Sequence, residues 1–70
     1  MSSSLETVKL GEFFLDRFDR LARLRVACLM AEDHPAVRLL DHALDSTYRD
    51  CARLGLGSQA RELVQWLLEP

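Results

Sequence analysis

The sequence predicts an all-α protein: a two-helix antiparallel hairpin with a short third helix at its C-terminal end, dimerising into a helical bundle. Three observations lead there. Apolar residues recur with helical period over residues 12–31 and again over 35–54. Each stretch ends in turn chemistry, first Glu32-Asp33-His34-Pro35 and then Gly55-Leu56-Gly57-Ser58. Finally, 70 residues at 49% apolar content exceed what one thin hairpin can cover, because a chain this short buries only about 60% of its unfolded surface. The surplus requires a second copy or another partner, and residues 1–70 form one small domain.

The first helix is anchored by Phe14, Leu21 and Cys28, which fall on one line at 100° per residue with Phe18 and Leu24 on either side. Asp16 precedes Arg20 by four residues and Asp19 precedes Arg23 by four, the favourable order for ion pairs along a helix. Arg17 and Arg25 instead project into the apolar arc, where they snorkel at its rim, pair inside a helix interface or contact an anion. Upstream, residues 2–10 admit two readings. Ser3 and Glu6 fit a capping box that starts the helix early and places Gly11 inside it, at a cost of about 1 kcal/mol relative to Ala. Alternatively, residues 7–10 form a short strand ahead of Gly11.

Pro35 suits the first turn of the second helix, with Asp33 or His34 as its cap. Along that helix Val37, Leu44 and Cys51 are seven apart, as are Leu40, Thr47 and Leu54, a seam flanked by Ala36 and Ala43. Arg38, His42, Arg49 and Arg53 make a stripe on the opposite face, and Leu39 lies out on that polar side. Gly55 supplies the left-handed residue that ends the helix. Ser58 caps a third helix, which carries Ala60, Leu63, Val64 and Leu67 on one side and Trp66 at its edge.

Charge and motif content narrow the function classes. Nine Lys and Arg against eleven Asp and Glu give a net charge of −2, too little positive field for strong nonspecific binding to nucleic acid or anionic membrane. No apolar run approaches the roughly 20 residues needed to span a bilayer, and nothing resembles a signal peptide, so a cytoplasmic location is expected. His34 and His42 stand eight apart without metal-ligand spacing, and no phosphate loop or nucleophile elbow is present. Cys28 and Cys51 occupy seam positions, where a free cysteine acts as a small apolar residue. No catalytic, cofactor or metal site is expected, and the chain is not expected to be an enzyme. A helix-turn-helix spanning residues 51–67 has poor register, with Arg61 where a buried aliphatic is needed.

Residues 7–23, T-V-K-L-G-E-F-F-L-D-R-F-D-R-L-A-R, and the pattern Leu39-Leu40-x-x-Ala43-Leu44 resemble the ribbon-helix-helix family of DNA-binding repressors and antitoxins. The likeness covers about half the chain. It implies a strand entering the major groove, with Thr7 and Lys9 facing the bases and Val8 and Leu10 in a dimer core. The residues themselves point first to a homodimeric protein acting by protein-protein interaction, as an adaptor, chaperone, inhibitor or assembly factor. Its expected dimer or partner surface is Phe13, Phe14, Phe18, Leu39, Leu44, Cys51 and Trp66.

Overall fold

A computed structural model gives the fold and describes residues 2–68, with side chains over 5–65. It is all-α. The helices are α1 (Ser2–Met30), α2 (His34–Arg53) and α3 (Gly57–Leu68). Helix α1 is about 43 Å long at 1.5 Å per residue, which accounts for most of the 48 Å long axis of a molecule only 23 Å and 14 Å across its other two.

The strand alternative for residues 7–10 is corrected: they belong to α1, which runs unbroken from Ser2 to Met30, and no strand occurs among the described residues. Gly11 does not break this helix because it meets a tertiary need. A Cβ at Gly11 would stand 2.6 Å from Leu56 Cδ1, so Leu56 of the α2–α3 turn packs directly on the bare α1 backbone there, and a side chain at this position would displace its methyl. The propensity cost of a mid-helix glycine is offset by that packing.

Both turns are hydrogen-bonded stops of the same kind. At the end of α1, Asp33 N donates to Cys28 O (2.9 Å) and Glu32 N to Leu29 O (3.0 Å), with Glu32 at φ 59°. At the end of α2, Leu56 N donates to Cys51 O (2.8 Å) and Gly55 N to Ala52 O (3.0 Å), with Gly55 at φ 76°. This is the double bond pattern that satisfies the last helical carbonyls through a left-handed residue. Glycine holds that conformation freely, whereas Glu32 does so against its Cβ. Glu32→Gly is therefore expected to stabilise the fold by about 1 kcal/mol, read as a raised urea midpoint.

Asp33, not His34, caps α2, its Oδ1 accepting from Ala36 N at 3.2 Å. Helix α3 begins one residue before Ser58, with Ala60 N donating to Leu56 O at 3.0 Å, so Ser58 sits inside the first turn instead of at the cap.

Phe18, Cys51 and Ala60 form the core where the three helices meet, with Phe14, Leu15, Leu44, Tyr48, Leu56 and Val64 packed around it. Each helix supplies one member of that centre. The second-helix seam faces inward as expected, with Val37, Thr47 and Cys51 buried and Leu40, Leu44 and Leu54 half-buried. Thr47 occupies an apolar position at no polar cost. Its hydroxyl donates to Ala43 O (2.7 Å) and accepts from Arg17 Nε (3.3 Å), so it is satisfied within the seam.

Candidate interaction surface

The core rotates α1 relative to the line drawn from its bulky residues. Gly11, Phe18 and Ala22 are the buried positions, while Phe14, Leu21 and Cys28 are half-buried and Leu24 is exposed. At 100° per residue Gly11, Phe18 and Ala22 cluster within about 40° of one another. Leu10, Phe13, Arg17, Leu24 and Cys28 cluster roughly 100° away, on one flank of the helix. Helix α3 approaches from the other flank, since Leu15, Asp16 and Asp19 share a groove of about 490 Å³ with Gln59, Glu62 and Leu63. The side of α1 turned from α3 therefore carries an apolar stripe that no described residue covers.

The stripe is exposed in fact as well as in register. Phe13 is 57% exposed, Leu24 52% and Leu10 46%, and Leu39 on α2 reaches 71%. Phe13 stands edge-on to Phe14, ring centroids 5.4 Å apart. Arg17 crosses the middle of the stripe, its stem along α1 and its Nε bonded to Thr47.

Of the residues expected at a dimer or partner surface, Phe18 and Cys51 are core residues. Phe18 packs against the Tyr48 ring at 6.0 Å, and Cys51 is 0% exposed. Leu44 and Phe14 are half-buried against that core. Phe13 and Leu39 are the two that face outward, and the Trp66 side chain lies outside the described residues. Leu10 and Leu24, which the sequence reading did not assign to this surface, complete it. The signal for them was present in the 3-4 spacing of residues 10, 13, 17, 21, 24 and 28, masked by Arg17 at its centre.

The charged residues are mostly tied to one another. Arg20 pairs with Asp16 (2.8 Å) and Arg23 with Asp19 (3.0 Å), as the spacing predicts. Arg25 resolves as an interface arginine, paired with Asp41 across α1 and α2. Within the basic stripe of α2, Arg49 pairs with Asp45 (2.9 Å) and Arg53 with Asp50 (3.3 Å), and His42 and Arg38 are exposed. Such exposed pairs contribute at most about 1 kcal/mol each. Arg61 lies on Tyr48, its Nε donating to the phenol oxygen at 2.8 Å with the guanidinium carbon 5.8 Å from the ring centre.

Among the described residues no group of three His, Cys, Asp or Glu could hold a metal ion, and no helix is long and apolar enough to cross a membrane. Cys28 and Cys51 are free thiols. Burial, and secondarily the charge of Asp50, push the Cys51 thiol up from its ordinary value. The folded chain thus holds that proton more tightly than the unfolded chain, so its contribution to stability is full below the ordinary thiol range. It is lost as pH rises through that range toward the raised folded value. Alkylation near pH 8 is expected to label Cys28 first and Cys51 only on unfolding, checked by intact-mass analysis with and without urea.

Compared with known proteins, the chain matches no family model, no curated protein and no solved structure.

Proposed function

We propose that this chain is a non-enzymatic helical protein that acts through protein-protein interaction, as a homodimer built on an antiparallel α1–α2 hairpin, in the role of an adaptor, chaperone, inhibitor or assembly factor. The observation that carries this reading is the uncovered stripe of Leu10, Phe13 and Leu24, with Leu39 beside it on α2. Together these side chains expose apolar surface on the order of 400–500 Å², at the size where a patch on a single chain has an interaction role. Supporting the hairpin are pairs that step in opposite directions along the two helices: Arg17 with Thr47, then Arg25 with Asp41.

The ribbon-helix-helix resemblance implies a strand that has no counterpart here. Thr7 and Lys9 stand exposed on α1 instead, and among the described residues most arginines are paired with carboxylates. Light scattering coupled to size-exclusion chromatography tests the interaction reading. A dimer, or a monomer that binds an apolar-surface dye strongly, agrees with it. A stable monomer without dye binding overturns it.

A further inference from the structure

Deepening that reading and resting on it, we infer that the uncovered stripe is occupied by a second copy of the chain, α1 packed antiparallel on its mate about a two-fold axis at the level of Asp19. Three observations single out this occupant and this direction.

The first is self-complementarity. Reflected about position 19, residue 10 meets 28, 13 meets 25, 14 meets 24 and 17 meets 21, so that the Phe13 ring also lies over Arg25, whose guanidinium is held by Asp41. Each layer then sets a larger side chain on a smaller or more flexible one: Leu10 on Cys28, Phe14 with its neighbour Phe13 on Leu24, and the Arg17 stem on Leu21. An isologous contact requires one patch to fit itself in this way. A parallel pairing in register would place Arg17 on Arg17 and Phe13 on Phe13.

The second is the neighbouring helix. Arg17 bonds Thr47 and Arg25 bonds Asp41, which sets position 19 of α1 level with residues 45–46 of α2. The same axis therefore passes α2 at Ser46, a small exposed residue. Elsewhere α2 offers His42 and Arg53 on this side, so an α1 stripe laid on the mate's α2 would bury apolar groups against charge. Leu39 falls level with residues 26–28 of α1, opposite Leu10 and Phe13 of the second copy.

The third is area. The stripe from Leu10 to Cys28 runs about 27 Å, and its exposed apolar side chains together with Leu39 present on the order of 400–500 Å². That is more than half of the roughly 800 Å² per partner of a stable pair before any polar rim is counted. Arg17 does not oppose closure, because its bond to Thr47 draws the guanidinium toward α2 and off the axis.

The test uses the native Cys28. Leu10→Cys, at an exposed position, is expected to give a dimer joined by two interchain disulfides under mild oxidation, while the unaltered chain gives none because its own Cys28 pair is separated by about 27 Å along the axis. Arg17→Leu, which sets a branched apolar side chain on Leu21 of the second copy where only the arginine stem packs, is expected to tighten the dimer roughly tenfold. A dimer that fails to cross-link through Leu10→Cys and is weakened by Arg17→Leu overturns the antiparallel arrangement while leaving the interaction reading intact. An unaltered chain that stays monomeric to high micromolar concentration overturns occupancy by a second copy. If it also binds no apolar-surface dye, the interaction reading itself falls.

Discussion

Phe18→Ala is expected to remove about half of the stability of the fold, the largest loss of any single truncation in the chain's core. Phe18 is 7% exposed, lies at the meeting point of all three helices, and stacks on Tyr48. Truncating a buried phenylalanine costs about 3–5 kcal/mol once the cavity is included. A chain of this size has a total stability of only some 4–10 kcal/mol at the usual per-residue value, and no disulfide staples it. The two other fully buried members of that core, Cys51 and Ala60, are too small to fill the space the ring leaves. Phe13→Ala is the paired control. Of the same residue type and five positions away, with its ring 57% exposed, it should cost the isolated fold within about 0.5 kcal/mol, as surface changes do. Circular dichroism with urea titration separates the two. Equal losses for Phe13 and Phe18 would contradict the assignment of one ring to the core and the other to the surface.

That contrast also locates what was legible in the sequence. The turns could be read because their chemistry is local: Pro35, Asp33 and Gly55 act on their own backbone, and the structure uses Asp33 and Gly55 as expected. The α2 seam could be read because seven-residue spacing is likewise a property of one helix. The rotation of α1 could not. Weighting by bulk puts Phe14, Leu21 and Cys28 at the centre, whereas the buried line runs through Gly11, Phe18 and Ala22, where small residues permit close approach by other elements. Gly11 is in place because of Leu56, 45 positions away in sequence, and no window along α1 contains that information. The same limit applies to the surface. Which phenylalanine is inside decides which apolar residues are left outside, so Leu10 and Leu24 emerge only after the core is fixed.

Ala60→Leu should have the second large effect, and a different one. Ala60 is 0% exposed and belongs to the three-helix core, and adding three carbons there overpacks it at a cost of about 1–3 kcal/mol, occasionally more. Strain at this point has an easier outlet than global unfolding. Helix α3 is 12 residues long, below the length at which a helix persists alone in water. Its attachment besides Ala60 rests on Val64, the Arg61–Tyr48 hydrogen bond and the approach of Gly57 to within 3.3 Å of the Tyr48 hydroxyl for a Cβ. The expected result is an α3 that lifts and melts, with loss of about a fifth of the helical signal, since α1 and α2 contribute 29 and 20 residues. Dye binding should rise as Phe18, Leu15 and Leu56 are uncovered. The stripe of Leu10, Phe13 and Leu24 lies on the flank of α1 turned away from α3, so the association of two copies should survive the substitution. If Ala60→Leu instead abolished dimerisation while α1 and α2 stayed helical, the partner would have to engage the α3 side, through the groove between α1 and α3 lined by Asp16, Asp19 and Glu62. Measuring helix content and oligomeric state on the same sample therefore tests whether the two faces of α1 have separate tasks, one holding α3 and the other meeting the proposed second chain.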